Sequence, residues 1–168
     1  MSDEDIQQGF RLAMRRVAST VAIVSAERDG ERHGTTATSV TSISMDPPSV
    51  LVCFNHASRL HDFLHSQDSF CINMLHTGNL AIAKVFSSNA TAAERFATGD
   101  WRADAKGMPF LADAQANFFC QKEQEVTYGS HTIFIGRVLR VLTRDDVSPL
   151  VYRDGRYGAV APETAPIK

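Results

Sequence analysis

Three groups of residues in this chain have types and spacing suited to chemistry. The first is a dense run of hydroxyls within Gly34 to Asn55, GTTATSVTSISMDPPSVLVCFN: Thr35, Thr36, Thr38, Ser39, Thr41, Ser42 and Ser44. The run turns through Asp46-Pro47-Pro48 and enters the apolar stretch Val50 to Phe54. Hydroxyls and backbone amides beside a buried strand suit a polar, planar ligand without a large charge. An ordinary threonine-rich strand has the same composition. The second group is Asn55-His56-Ala57-Ser58-Arg59, which leaves that strand and enters a helix. N–H groups at a helix start attract anions, and an arginine adds charge and paired donors. A capping serine and a surface arginine are the plain alternative. The third is His131, directly after Tyr128-Gly129-Ser130 and at the mouth of HTIFIGRV. An imidazole there can hydrogen-bond a ligand without moving a proton, or simply cap the strand.

Other chemistries find no motif. There is no G-x-G-x-x-G and no G-x-x-x-x-G-K-[ST], so neither usual phosphate loop is present. There is no G-x-S-x-G or S-x-x-K, and Ser130 and His131 do not become a nucleophile and base by adjacency. His61 and His65 have zinc-compatible spacing, but the glutamate of H-E-x-x-H is absent and no third ligand is evident. A solvated helix face is the better reading, and no metal is expected. Glu94, Asp100, Asp104, Asp113, Glu123 and Glu125 form no distinguishing pair. A protein without catalytic pairs performs chemistry most readily through a bound cofactor.

The elements that must position these residues are mostly strands. Phe10, Ala13, Met14, Val17 and Ala18 recur at helical spacing, which predicts an amphipathic helix over 5–18. Val21 to Ala26 and His33 to Val40 read as a hairpin across Asp29-Gly30. Pro47-Pro48 excludes helix and central strand, and the unalternating Val50 to Phe54 predicts a strand buried on both faces. Ala57 to Ser66 reads as a helix with Leu60, Phe63 and Leu64 inward, and Phe70 to Leu75 as a strand. Leu80 to Phe86 reads as helix, with another helical turn over Thr91 to Phe96. Gly99 to Pro109, with the only tryptophan, Trp101, reads as a loop of the kind that forms a lid or ligand wall. Asn117 to Tyr128 and His131 to Thr143 are long antiparallel partners. Gly136 marks a bulge or a close backbone approach. Val151 to Tyr157 closes with a small hairpin at Asp154-Gly155. Strands joined by hairpins, without βαβ units, predict a mainly β fold: a closed or partly open antiparallel barrel with short peripheral helices.

Bulk properties bound the function. A chain of 168 residues with 43% hydrophobic and 21% charged content is an ordinary globular protein, expected as a single domain over 1–168. The barrel should span about 10–158, with a frayed tail over 159–168. A formal charge of −2 supplies no basic field for nucleic acid or an anionic membrane. No apolar run approaches a membrane span, and the acidic N-terminus lacks a signal-peptide core. Three scattered cysteines, Cys53, Cys71 and Cys120, suit buried thiols in a reducing compartment, hence a cytoplasmic protein.

From Phe10 to Gly158 the chain resembles the short-chain flavin reductases, the reductase components of two-component flavin monooxygenases. The segments FRLAMRRVASTVAIV, GTTATSVTSISMDPP, Gly107-Met108-Pro109, Cys120 in its strand, Gly129-Ser130-His131 and Pro149-Leu150-Val151-Tyr152 stand in that family's order. The long hydroxyl segment is the most specific. One departure is Ser130, where the family usually has aspartate. The resemblance implies an antiparallel split β-barrel that binds FMN or FAD and forms a homodimer, with the flavin near the interface. It implies that Thr38, Ser39, Val40 and Thr41 line the isoalloxazine and that Asn55, Ser58 and Arg59 hold the phosphate end. Phe86 and Ser87 would add a flavin-contacting loop. His131 and the turn Tyr152-Arg153-Asp154-Gly155 would meet NADH, or NADPH. The expected activity is NAD(P)H:flavin oxidoreduction supplying reduced flavin to a partner monooxygenase. The alternatives are a flavoenzyme of the same fold acting on its own bound substrate, a corrinoid included, or a non-enzymatic flavin-binding module.

Overall fold

The computed structural model describes residues 2–161; Met1 and residues 162–168, which hold most of the expected tail, lie outside the described residues. The chain opens with α1 (Asp3–Arg15), started by a reciprocal cap between Ser2 and Asp5. Then come β1 (Ser19–Thr20), β2 (Ala22–Arg28) and β3 (Glu31–Ala37). Asp29 and Gly30 both take positive φ (54° and 84°), as the tight two-residue hairpin between β2 and β3 requires. β4 (Val40–Met45) and β5 (Pro48–Asn55) form the next hairpin, around a cis Asp46-Pro47 bond. α2 (Arg59–Ser66) leads to β6 (Ser69–Met74). A 3-10 turn over Thr77–Asn79 runs into α3 (Leu80–Phe86), followed by α4 (Ala92–Phe96). β7 (Trp101–Ala103) pairs with β8 (Pro109–Leu111); the long β9 (Ala116–Tyr128) pairs with β10 (His131–Thr143); β11 (Leu150–Arg153) pairs with β12 (Arg156–Ala159).

One antiparallel sheet of seven strands carries the fold, in the order β3-β2-β6-β9-β10-β5-β4. Its two edge strands are consecutive in sequence. Only Thr38 and Ser39 separate β3 from β4. Three residue steps reach at most about 11 Å, so the sheet must curl until its first and last strands meet. No ladder joins β3 to β4, and the resulting barrel is split along that seam. β1, β11 and β12 form a separate three-stranded sheet beside it.

The interior is filled by alternate residues of the curled sheet and capped by helices. Val24, Val52, Phe54, Phe70, Ile72 and Phe134 form the barrel core, and α2 adds Leu60, Phe63 and Leu64. A second cluster gathers Val21, Ile23, Ile82, Phe86 and Leu111. Gly136 sits at a register shift in β10, and a Cβ there would lie 2.6 Å from Phe70 Cζ and 2.9 Å from Cys120 Cβ. Both readings of this glycine, bulge and close approach, hold together.

Four expectations change. The predicted 5–18 helix starts and ends earlier, and α1 buries none of its residues. Its apolar side remains open to solvent, Phe10 by 67%. The hydroxyl run is not one strand but the end of β3, the two-residue link and β4. In β5, Val50, Val52 and Phe54 are buried, while Leu51 and Cys53 are only half-buried, because the second face of this strand lacks a full cover. Gly99 to Pro109 is no lid. It carries β7 and the start of β8, and Trp101 packs against Phe86 and Phe96.

Candidate active site

A cleft of about 930 Å³ lies between α1, the Thr38-Ser39 seam, the β9–β10 turn and the β11–β12 turn. It brings together residues from four distant segments: Thr38 and Ser39; Ser130 and His131; Tyr152, Asp154 and Gly155; and Gln7, Phe10, Arg11, Met14 and Arg15. Each set is there for a local reason. The Gly129 φ of 57° lets the β9–β10 hairpin close tightly, which places His131 at the strand mouth. The ladder puts His131 opposite Asn55. The Asp154 and Gly155 φ values of 49° and 79° make the second Asp-Gly hairpin turn. That turn is held to α1 by Arg15, whose Nε donates to Asp154 Oδ1 at 2.9 Å, and by the Asp154 N–H, which donates to the Arg15 carbonyl at 2.8 Å.

The hydroxyls have different duties. Ser39 Oγ donates to the Cys53 carbonyl at 3.0 Å and accepts from the Cys53 N–H at 3.3 Å, so it ties the seam to β5. Thr38 and Ser39 belong to no strand, which leaves their backbone groups uncommitted to a ladder. Val40 and Thr41 continue from them, opposite Val52 and Leu51. His131 Nδ1 is 2.9 Å from Ser130 Oγ, and this side chain is exposed.

A second polar region surrounds the start of α2. Asn55 Oδ1 accepts from the Ala57 N–H at 2.8 Å, and Ser58 is the N-cap residue but makes no capping bond with its side chain. Arg59 follows. Arg95, absent from the sequence reading, donates to the carbonyls of Gly34 (2.9 Å) and Ser88 (2.7 Å). Burial first, and then the positive Arg59, lower the pKa of Arg95. Burial, then the charges of Arg95 and Arg59, likewise hold His33 below the ordinary imidazole value against the opposing pull of Glu31. The region is therefore a positive spot that an anion would stabilise.

Not every expected residue reaches the cleft. Phe86 is fully buried, with its ring against Phe96 and Trp101, so its side chain faces the core. Ser87 is exposed and accepts from the Tyr157 hydroxyl at 3.4 Å, which links α3 to the β11–β12 hairpin. Arg153 lines a neighbouring hollow with Leu12, Arg15 and Arg16. His61 and His65 are engaged separately: His61 Nε2 lies 3.1 Å from Thr132 Oγ1, and His65 Nδ1 lies 2.8 Å from Glu125 Oε2. The three thiols are held protonated by burial, Cys120 being pushed up to about 12, so none is poised as a nucleophile. The sequence reading missed the α1 contribution entirely. Its signal was present in Gln7, Arg11 and Arg15 at four-residue spacing, next to the apolar stripe of the predicted helix.

Residues 14–161 match the flavin reductase like domain family. The chain belongs to the flavin reductase-like family. The reductase component of the FADH(2)-dependent resorcinol hydroxylase of Rhizobium sp. (strain MTP-10005) is 37% identical over 164 residues, covering 96% of this chain and 92% of that protein. The FMN reductase (NADH) RutF of Cronobacter sakazakii is 35% identical over 155 residues, covering 92% and 93%. Among solved structures, the Streptomyces globisporus C-1027 NADH:FAD oxidoreductase SgcE6, in complex with NAD and FAD fragments, superposes with a TM-score of 0.89. It is 27% identical, with coverage of 98% and 99%. The cleft lies within the usual range of small-molecule sites, about 300–1,000 Å³, with Thr38 and Ser39 at the seam and the cations Arg11 and Arg15 on the α1 wall.

Proposed function

We propose that this protein is an NADH-dependent flavin reductase that supplies reduced FMN or FAD to a partner monooxygenase. The observation that carries the reading is the convergence of the Thr38-Ser39 seam, His131 and the Tyr152–Gly155 turn on one cleft. The cofactors supply the redox chemistry when bound, a hydride passing from the dihydronicotinamide to the isoalloxazine. The protein binds and orients. Thr38, Ser39, Val40 and Thr41 hold the ring edge, largely through backbone groups. Asn55, Ser58 and Arg59, reinforced by Arg95, hold the phosphate end; Ser87 borders that site. His131 and the turn of Tyr152, Arg153, Asp154 and Gly155 position the nicotinamide. Backbone donors near the pyrimidine edge stabilise the charge of the reduced ring. NADH is taken as the reductant because the similar RutF proteins are FMN reductases (NADH).

The protomers pair as a homodimer in the cytoplasm. Support for pairing comes from apolar side chains left exposed on α1, Ile6, Phe10 and Leu12, and on the outer ends of β9 and β10, Tyr128, Leu139 and Val141. Support for a reducing compartment comes from three free cysteines. The experiment is to follow NADH loss with purified protein while free FMN or FAD is added in excess. Consumption rises in proportion to free flavin at catalytic protein concentration. Consumption that requires a second organic substrate instead marks an enzyme that keeps its flavin, and no consumption marks a binding module.

A further inference from the structure

We propose that Arg11 is a specificity-determining residue that binds the pyrophosphate of the nicotinamide dinucleotide; this rests on the flavin reductase reading of the cleft. Arg11 lines the same cleft as Thr38, His131 and Gly155, from the wall formed by α1. It stands one helical turn, about 6 Å, from Arg15. The two arginines differ in what they already hold. Arg15 is clamped to Asp154, and its charge is matched there. Among the described residues Arg11 makes no side-chain hydrogen bond and no ion pair, while Asp154 is the only carboxylate lining the cleft. A cleft wall with one unmatched guanidinium, above a floor whose charges are paired, selects an anionic group.

The clamp also sets the distance. Because the Arg15–Asp154 pair and the Asp154 N–H to Arg15 carbonyl bond dock the end of α1 on the hairpin turn, the helix rises from the floor at a fixed place. Phe10 and Met14 add apolar surface to the same cleft. A dinucleotide with its nicotinamide at His131 then runs its ribose past Met14 and its pyrophosphate to Arg11. The two phosphates carry two negative charges, the class of group a planar fork binds best. Arg11 is exposed and among the described residues makes no side-chain hydrogen bond, so its replacement leaves the fold intact.

The test is steady-state kinetics of Arg11→Ala and Arg11→Lys with FMN as acceptor. Reductants are NADH, NADPH and 1-benzyl-1,4-dihydronicotinamide, which has no phosphate. Arg11→Ala raises KM for NADH and NADPH alike, by about tenfold for one charge-assisted hydrogen bond, with kcat and the KM for FMN unchanged. Arg11→Lys falls between, and the parent's KM for NADH rises with salt more steeply than that of Arg11→Ala. With the phosphate-free reductant, parent and variants do not differ. An unchanged KM for NADH overturns the assignment. So does an equal loss with all three reductants, which makes Arg11 a general shaper of the cleft. A loss confined to NADPH overturns it too, since the contact is then to the 2′-phosphate. A parent that oxidises none of the three with free flavin removes the flavin reductase reading itself.

Discussion

The split seam and the wall beneath β7 and β8 are both dense in polar residues, yet they are built on opposite terms. Beneath β8, Asn73 is fully buried and every one of its polar groups is used. Its Nδ2 donates to the Ile23 carbonyl and to Ser25 Oγ. Its Oδ1 accepts from the Leu111 N–H at 2.8 Å and from Asn117 Nδ2 at 2.9 Å. Ser25 Oγ in turn donates to the Pro109 carbonyl, and Asn117 Nδ2 to the Leu111 carbonyl. This closed network pins the β7–β8 hairpin to the barrel. At the seam, Thr38, Thr41 and His131 are exposed, and among the described residues Arg11 makes no side-chain hydrogen bond or ion pair. A satisfied buried network stabilises and specifies structure; an unsatisfied one at a cleft is available to a ligand. Polar density does not separate the two. Satisfaction does.

The comparison is broken most directly at Asn73. Asn73→Ala orphans the Leu111 N–H and leaves Ser25 and Asn117 short of partners. It should cost about 3 kcal/mol of stability in urea unfolding, while the folded fraction keeps its KM for NADH. Gly136→Ala tests the packed side in another way. Its new methyl meets Phe70 and Cys120 at closest approaches of 2.6 and 2.9 Å, both too short to be absorbed by a fully packed core. A loss of about 2 kcal/mol is expected, read by the same unfolding midpoint. On the open side, Arg59→Ala should leave stability within about 0.5 kcal/mol and weaken FMN binding by about 1–2 kcal/mol. Titration with riboflavin, which lacks the phosphate, should show no difference.

A smaller effect belongs to His33, which is nearly buried against Phe63 with ring centroids 5.0 Å apart. Its pKa is held below the ordinary value by burial and by Arg95 and Arg59. The unfolded chain therefore takes up a proton that the fold refuses. Stability is full above the unfolded value, about 6.5, falls as pH drops through it, and levels off once the folded imidazole also protonates. His33→Gln should flatten that slope in unfolding curves taken between pH 7 and pH 5.

Local signals carried much of the fold. Asp29-Gly30 and Asp154-Gly155 announced their hairpins because only tight turns with positive φ at both positions favour that pair. Leu60, Phe63 and Leu64 announced the buried face of α2. What failed was anything that depends on distant partners. The apolar stripe of α1 announced an amphipathic helix, but amphipathicity does not say what covers it. Trp101 sat in a stretch without periodicity, and its place against Phe86 and Phe96 comes from contacts across the chain. The site divides the same way. His131 and the seam hydroxyls stood out by their neighbours in sequence, whereas Arg11 joins the site through the docking of α1 on the β11–β12 turn and Arg95 through its bonds to the Gly34 and Ser88 carbonyls.

The central claim is that the cleft at His131 is where the reduced nicotinamide is held. Its most direct test is kcat/KM for NADH in His131→Ala beside the affinity for FMN. The account predicts a fall in kcat/KM for NADH with FMN affinity and unfolding midpoint unchanged. A variant with the parent's kcat/KM for NADH contradicts it.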